Sequence, residues 1–299
     1  MPEDGVNKLR HHDILSYEEF IRVVVAAASQ GMTKVRLTGG EPLVRKGVVP
    51  FIRRLSEIPD VADLRLTTNG VLLADMADSL LDAGIRRINV SLDSLNPDNF
   101  NRITGRDEFD RVWRGIERAI QVGFDRVKIN VVVIRGVNDH EVLDLARLSL
   151  EWPLEVRFIE FMPLGRADFW SPEQLISVEE IKKAISILGP LHPEQTASTE
   201  GPANVYGLPN AVGRIGFISP VTDHFCATCN RLRLTADGKL RLCLLSNREL
   251  DLKTPLRKGA DQAELVRILK QAVRDKPRAH MLSQGHLAGP GRSMNLIGG

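Results

Sequence analysis

The sequence predicts an α/β fold built on a parallel β-sheet, either doubly wound or curved towards a barrel. Residues 17–160 contain five β-prone runs separated by segments of helical length, and such alternation is typical of parallel sheets. Four of these runs alternate apolar residues with polar or basic ones, which a strand presents on opposite faces. All three cysteines of the 299-residue chain lie within residues 226–243, so we expect a separate site near the C-terminal end.

The helices and strands of this region are predicted from the spacing of their apolar residues. Each helix has apolar residues at intervals of three and four, and the first helix ends before a glycine at position 31. The predicted helices are Tyr17–Gln30, Val48–Glu57, Leu73–Ala83, Phe109–Val122 and Glu141–Leu150. The predicted strands are Lys34–Thr38, Asp63–Thr67, Arg87–Leu92, Arg126–Ile134 and Glu155–Phe161.

The pattern changes after residue 161. A loop is predicted over Met162–Gln174, and residues Gly189–Gly213, rich in glycine, proline and small polar residues, are predicted to form a linker or a long active-site loop. The remaining predicted elements are the helices Val178–Ile187 and Asp261–Asp275 and the strands Arg214–Ser219, Arg231–Thr235 and Lys239–Leu244. We therefore predict a core domain over residues 1–188 and a C-terminal region over residues 189–299.

One face of the predicted sheet is unusually polar. Strands in the middle of a parallel sheet are normally apolar on both faces, but here Arg36, Thr67, Ser91 and Lys128 share one face, and Arg157 lies in the fifth strand. Some of these strands could lie at an edge or at the surface. Alternatively, the polar face lines the inside of a barrel that binds an anionic ligand, with its site at the C-terminal ends of the strands.

The composition excludes several classes of protein. The chain is 43% hydrophobic, which is enough for a packed core, and three cysteines cannot form a complete set of disulfides. A net charge of +2 argues against a dedicated nucleic-acid-binding protein. The first 15 residues lack the charged and apolar regions of a signal peptide, and the apolar runs are too short to span a membrane. We therefore predict a cytoplasmic protein.

The cysteine spacing predicts a metal site. Cys226 and Cys229 are separated by two residues, and a predicted hairpin with a turn at positions 237 and 238 would return Cys243 to them. Three thiolates suit an iron–sulfur cluster with one open iron, because full ligation takes four cysteines. Structural zinc with His224 as the fourth ligand is an alternative, and a redox-active or inert thiol pair is another.

Two arginines lie directly beside the cysteines. Arg231 and Arg233 are two positions apart on a predicted strand, so their guanidinium groups point the same way. Guanidinium groups suit phosphate oxygens, and we expect one ligand to meet both the metal site and these arginines. Paired surface arginines are also common, so the pair alone does not decide between the two interpretations.

Six short segments, spread along the whole chain, match the sequence pattern of one known enzyme family. The sequence resembles the GTP 3′,8-cyclase family of radical S-adenosylmethionine (SAM) enzymes, known as molybdenum cofactor biosynthesis protein A. The matching segments are VRLTGGEP (35–42), TTNG (67–70), NVSLDS (89–94), RFIEFM (157–162), FCATCNRLRLTADGK (225–239) and the Gly-Gly terminus.

The resemblance implies a fold and a reaction. The fold is a partial (β/α) TIM-like barrel of the radical SAM type with a C-terminal extension that binds an iron–sulfur cluster. One [4Fe-4S] cluster cleaves SAM, and a second cluster binds the purine of GTP. The product is 3′,8-cyclo-7,8-dihydro-GTP, an intermediate in molybdenum cofactor biosynthesis. Cyclic pyranopterin monophosphate synthase would act next in the pathway, and a homodimer is possible.

The resemblance also implies roles for individual residues. The expected cluster ligands are Cys226, Cys229 and Cys243. The expected GTP contacts are Arg36, Thr67, Lys128, Arg231 and Arg233, together with Lys34 and Arg157. The expected SAM contacts are Gly40, Ser91 and Met162. The tail, Gly298 and Gly299, is expected to reach the active site.

One departure from the family pattern is serious. Members carry a C-x3-C-x2-C motif, which holds the SAM-cleaving cluster, just before a segment like Met1–Glu3, where this chain begins. We therefore expect that the chain is truncated, that the second cluster is present only in a full-length protein, and that these 299 residues generate no radical. The other interpretations are a non-catalytic module that binds GTP or a cluster, and a structural protein stabilised by zinc.

Overall fold

The central feature of the fold is one large sheet. The structure is a computed structural model that describes residues 9–164, 170–195 and 201–280. In these residues eight strands pair in the order β1-β2-β3-β4-β5-β8-β7-β6, of which β1 to β5 and β8 are parallel. The parallel strands are β1 Lys34–Leu37, β2 Asp63–Thr68, β3 Arg87–Ser91, β4 Arg126–Val133, β5 Leu154–Glu160 and β8 Arg214–Ile218. The antiparallel strands at the edge are β6 His192–Pro193 and β7 Asn204–Gly207.

Helices follow most of the parallel strands. The helices of the described residues, including α1 before β1 and α8 and α9 near the C-terminal end, are α1 Tyr17–Ala28, α2 Val48–Ser56, α3 Leu73–Asp82, α4 Pro97–Thr104, α5 Phe109–Val122, α6 Val142–Glu151, α7 Val178–Ile185, α8 Lys253–Arg257 and α9 Gln262–Arg274. Within the described part of the chain, no helix is both long and apolar enough to cross a bilayer.

The prediction of a parallel α/β fold is confirmed, and the sheet with its flanking helices is consistent with a partial barrel. The helix over Phe109–Val122 matches its predicted limits, and the other predicted helices and strands of this region differ by one or two residues. The sequence analysis did not predict α4 or α8. Both are short, and a helix of one or two turns contains too few apolar residues to show a period.

The prediction of a linker or loop over Gly189–Gly213 is wrong in part, because this segment contains β6 and β7. β7 is four residues long and buries Val205 against β8, while β6 pairs only with β7. Such short strands at the edge of a sheet are stabilised by pairing with a neighbour, which the spacing of residues along the chain does not reveal.

The two faces of the parallel sheet have different characters, as the alternating pattern predicted. The face towards the helices is mostly apolar and buried, with Leu66, Val90, Ile129, Phe158 and Phe217 at its centre. Its burial against the helices is the main stabilising contribution, since apolar side chains of this size each contribute about 1.5–3 kcal/mol when buried. The polar residues are left on the opposite, concave side.

A second hydrophobic core joins the two ends of the described chain. Val23 of α1 packs with Leu240, Leu242 and Leu265 from the C-terminal region. The backbone of Leu15 donates to the carbonyl of residue 236 over 2.8 Å. A small antiparallel sheet of β9 Arg233–Leu234, β10 Lys239–Arg241 and β11 Glu249–Asp251 is thereby fixed to the first helix.

The close approach of α5 to the turn after β2 depends on Gly115. A Cβ atom at this position would lie 2.7 Å from the carbonyl oxygen of Gly70 and 3.0 Å from Cβ of Leu73. We expect Gly115→Ala to lower the free energy of unfolding by about 1–3 kcal/mol, because the backbone must move apart to admit the methyl group. Urea denaturation measures this change. Arg114→Ala, on the exposed side of the same helix, is the control and should cost less than about 0.5 kcal/mol.

Candidate functional site

The polar residues of the sheet lie in rows across neighbouring strands. One row joins Thr67, Asn89, Lys128 and Glu155, each opposite the next in the strand register. The following row joins Ser91, Asn130 and Arg157, with Gly216 of β8 opposite Arg157. Because parallel strands in register place their side chains side by side, the predicted ligand residues form one continuous surface rather than scattered surface positions.

A buried ionic network occupies the middle of this surface. The ammonium of Lys128 lies 3.1 Å from Oε2 of Glu155, and the guanidinium of Arg157 donates from Nε to Oε1 of the same carboxylate. The three side chains are only 2%, 4% and 2% exposed. Burial would raise the pKa of Glu155, but Arg157 and Lys128 outweigh it and lower that pKa. One carboxylate therefore neutralises two cations.

The remaining positive charge is concentrated around Arg36. Desolvation by the surrounding protein atoms and the repulsion of Arg157, Arg65, Arg231 and Arg233 together lower the pKa of Arg36 to about 10, although its side chain stays exposed to solvent. The structure thus brings β1, β5 and the segment after the cysteines together, although they are far apart in sequence. Arg65 and Arg157 have the carboxylates of Asp63 and Glu155 as partners, so the charges of Arg36, Arg231 and Arg233 are the ones that favour an anion with several negative charges, such as a polyphosphate.

Arg233 is similarly crowded. Burial is the largest factor that lowers its pKa to about 10, and the charge of Arg231 adds to the effect. Thiolates at Cys229 and Cys243 act in the opposite direction, which shows that Arg233 lies within electrostatic range of both. The arginine cluster and the cysteine segment are therefore one site.

The cysteines lie at one end of a hairpin, as predicted. Cys226 and Cys229 flank a single helical turn in which the amide of Cys229 donates to the carbonyl of Cys226 over 3.2 Å. β9 and β10 pair with Arg233 opposite Arg241, so Cys243 returns to the same end of the hairpin. The turn between these strands contains Gly238 at φ +77°, a conformation that favours glycine.

The thiols influence each other's ionisation. Burial raises the pKa of Cys226, and thiolates at Cys243 and Cys229 add to the rise. Burial also opposes ionisation of Cys229, but hydrogen bonds and charge from Arg231 lower its pKa overall. The ammonium of Lys276 donates to the carbonyls of Arg231 and Leu242, over 2.9 and 2.8 Å, and so joins the two backbone segments that carry the cysteines.

The described residues do not form a finished metal site. No group of three or more histidine, cysteine or carboxylate side chains among them is arranged to hold a metal ion. His224, the alternative zinc ligand, is exposed and its ring packs edge-on against His280 with centroids 5.2 Å apart. The metal site at the three cysteines therefore stays a prediction, which rests on the soft character of their thiolates.

The predicted SAM contacts lie at the carboxyl edge of the sheet. Gly40 follows β1, Ser91 ends β3 and Met162 follows β5. Ligands of open and barrel-shaped α/β sheets bind at this edge, and the role of these residues in SAM binding stays a prediction. The predicted GTP contact Lys34 lies at the opposite end of β1, beside Asp63. Residues 298 and 299 and the first eight residues lie outside the described part of the chain.

Sequence reasoning missed three residues of this site. Glu41 accepts hydrogen bonds from the amides of Leu43 and Asn69 and from the hydroxyl of Thr68, over 2.7–3.0 Å, and so binds two loops that the sequence analysis treated separately. Glu155, on the same strand face as Arg157, could have been recognised as its partner from the two-residue spacing. Lys276 had no signal, because its partners are backbone carbonyls.

Two family profiles match the chain over nearly its whole length. That of the radical SAM superfamily matches residues 2–149, and that named Molybdenum Cofactor Synthesis C matches residues 154–282. The structure is similar to a crystal structure of Streptococcus suis SuiB bound to S-adenosylmethionine, with a TM-score of 0.57 and 14% identity over 83% of this chain and 59% of that one. This similarity confirms the fold.

Two named relatives are more similar in sequence. A GTP 3′,8-cyclase of Desulforamulus reducens is 49% identical over 300 residues, covering 100% of this chain and 92% of that protein. A GTP 3′,8-cyclase of Heliobacterium modesticaldum is 49% identical over 301 residues with the same coverage. At this identity and coverage, the chain belongs to the GTP 3′,8-cyclase family of the radical SAM superfamily.

Proposed function

We propose that this chain acts in the conversion of GTP to 3′,8-cyclo-7,8-dihydro-GTP during molybdenum cofactor biosynthesis. The observation that carries the proposal is the junction of two features, an arginine cluster and a cysteine hairpin, in one site. Arginines bind a triphosphate, and thiolates hold a metal centre to which a purine can bind. Neither feature alone would distinguish a GTP enzyme from a simple phosphate-binding or metal-binding protein.

The residues have separate tasks in this proposal. Arg36, Arg231 and Arg233 bind and orient the triphosphate, with Arg157 as an additional cation. Lys128 and Thr67 lie in one row across the sheet and contact the nucleoside part or the nearest phosphate. Glu155 holds Lys128 and Arg157 in place, since a carboxylate between two cations fixes the direction of both.

Membership of the radical SAM superfamily implies SAM and a [4Fe-4S] cluster. We infer that Cys226, Cys229 and Cys243 hold a cluster on the substrate side, because their thiols lie at one end of a hairpin and influence each other. When bound, the cluster supplies an open iron for the substrate, and SAM supplies the radical chemistry of the superfamily. Gly40, Ser91 and Met162 are the proposed SAM contacts.

Three further expectations stay predictions. The product would pass to cyclic pyranopterin monophosphate synthase, the enzyme would form a homodimer, and it would work in the cytoplasm. Each concerns the protein in its cell rather than the geometry of one chain. Size-exclusion chromatography with light scattering tests the homodimer directly.

Anaerobic reconstitution of the 299-residue chain with iron and sulfide tests the proposed site. We expect about four iron and four sulfide per chain, matching one cluster, and GTP binding that accompanies the cluster. Cys229→Ser should abolish both the cluster and its visible absorbance, because two thiolates do not hold a cubane cluster. Zinc bound without sulfide, or a full cluster in Cys229→Ser, would contradict the proposal.

A further inference from the structure

The carboxylate of Glu160 lies where three segments of the chain meet. Glu160 is the last residue of β5, and its side chain is fully buried on the helix-facing side of the sheet. Its Oε1 accepts a hydrogen bond from the amide of Val178, over 3.1 Å, and another from the hydroxyl of Thr222. Its Oε2 accepts from the amides of Val221 and Thr222, both over 3.0 Å. Both oxygens of one carboxylate are thus held by donors from outside its own strand.

These donors come from segments next to both halves of the proposed site. Val221 and Thr222 form the turn that leaves β8 and leads, four residues later, to Cys226. Met162, the proposed SAM contact, lies two positions after Glu160 itself. A single buried side chain therefore fixes the backbone before the cysteine turn relative to the backbone before Met162.

The same turn is held from a second side. Nε2 of His280 lies 2.9 Å from the carbonyl oxygen of Pro220, which can only accept a hydrogen bond. Glu160 accepts hydrogen bonds from the backbone amides of the turn, and His280 binds the carbonyl of Pro220. Both the donors and an acceptor of the turn's backbone are therefore held by side chains. Such a turn has little freedom, so the position at which the cysteine segment begins is determined by Glu160 and His280.

We propose that Glu160 is a positioning residue for the substrate-side site, and that it sets the placement of Cys226 and Cys229 relative to the arginine cluster. This proposal rests on the proposed function, since it takes the three cysteines as cluster ligands. A carboxylate is required because each oxygen accepts at least one backbone N–H. In Glu160→Gln the side-chain amide must point its own N–H groups at Val178 or at the two turn amides, which leaves donors facing donors.

The chain offers a matched control for this variant. Glu141 is another buried carboxylate near the carboxyl edge of the same sheet, and it accepts from the amides of Leu95 and Asn96 and from the hydroxyl of Ser94. Its partners belong to the loop after β3, far along the chain from the cysteines. Glu141→Gln therefore removes the charge of another buried carboxylate that holds loop amides, in a loop that leads to no cysteine.

The experiment compares wild type, Glu160→Gln and Glu141→Gln. In the cluster-free proteins, the rate of thiol alkylation is followed at each cysteine by mass spectrometry. After anaerobic reconstitution, iron and sulfide content, the electron paramagnetic resonance spectrum of the reduced cluster and the Kd for GTP are measured. We expect Glu160→Gln to speed alkylation of Cys226 and Cys229 but not of Cys243, to change the spectrum, and to weaken GTP binding by about 10- to 100-fold. Glu141→Gln should keep wild-type values in all of these even if it melts at a lower temperature.

Each outcome separates the two proposals. If wild type itself binds neither a cluster nor GTP, the proposed function fails. If wild type binds both and Glu160→Gln behaves as Glu141→Gln does, the positioning role is overturned. Should Glu160→Gln not fold, Thr222→Val removes one hydrogen bond to Glu160 while leaving the carboxylate in place. It is expected to shift the alkylation rates and the spectrum in the same direction by a smaller factor, and wild-type values in this variant would count against the proposal.

Discussion

The double variant Arg231→Ala, Arg233→Ala is expected to weaken GTP binding by two to four orders of magnitude. Each charge-assisted contact contributes about 1.5–3 kcal/mol, and 1.4 kcal/mol corresponds to a tenfold change in affinity. Both guanidinium groups lie close enough to Arg36 to repel it, so they belong to the same cluster of positive charge. Their removal takes two of the cations that the bound phosphates would contact. Isothermal titration calorimetry of the reconstituted protein with GTP measures the effect.

A control variant must show whether weaker GTP binding comes from the loss of two positive charges anywhere on the protein or from the loss of these two arginines. Arg53 and Arg54 are both exposed on α2, so Arg53→Ala, Arg54→Ala removes the same charge at a remote surface and should leave the Kd nearly unchanged. Iron and sulfide are measured in parallel, because Arg231 also lowers the pKa of Cys229. GTP affinity equal to wild type in the double variant, with the cluster intact, would remove these arginines from the site.

Glu155→Gln is expected to lower the free energy of unfolding by about 3–5 kcal/mol in the absence of ligand. Removal of one partner from a buried ion pair leaves the other charge uncompensated, and here two cations, Lys128 and Arg157, lose their shared carboxylate. Arg36 repels Arg157, so the positive charge of Arg157 that loses its carboxylate has another cation near it rather than a compensating anion. Urea denaturation at pH 7 measures the loss. Asp78→Asn, which breaks an exposed pair with Arg118, should cost no more than about 1 kcal/mol.

The effect of this substitution should depend on pH. The pKa of Glu155 is lower in the folded protein than its ordinary value of about 4.3. A lowered pKa contributes stability that is fully present above the unfolded-state pKa and is lost as the pH falls through the folded-state pKa. The difference in stability between wild type and Glu155→Gln should therefore be largest near neutral pH and shrink below about pH 4. A difference that stays constant into acid would show that packing, not charge, explains the cost.

Much of the fold follows from local patterns in the sequence. The strand at Lys34 and the helix over Phe109–Val122 were predictable because one apolar face, repeated with a constant period, is enough to specify each. The alternation of Arg36 with its apolar neighbours also predicted the polar face of the sheet. β7, in contrast, is held by its pairing with β8, and such pairing between distant segments has no local signature.

The site was predictable to the extent that its residues have unusual chemistry. Cysteines at close spacing and arginines beside them are rare patterns, so Cys229 and Arg231 could be selected from sequence as candidate site residues. Glu160 and Lys276 act on backbone amides and carbonyls, and every segment of the chain has those groups. Nothing in a single sequence marks which backbone groups such side chains reach, so their roles needed the structure.

The packing of the first helix, α1, against α9 has a consequence for the order in which the protein is assembled during synthesis. Segments leave the ribosome from the N-terminus onward, and domains generally begin to fold in that order. The hairpin with the cysteines is packed between α1 and α9, and its fixed partner at Leu15 is more than 200 residues earlier in the chain. The hairpin therefore reaches its final position only after α9 has emerged. The proposed metal loading at the cysteines is thus expected late in biosynthesis, when the parallel sheet has already formed.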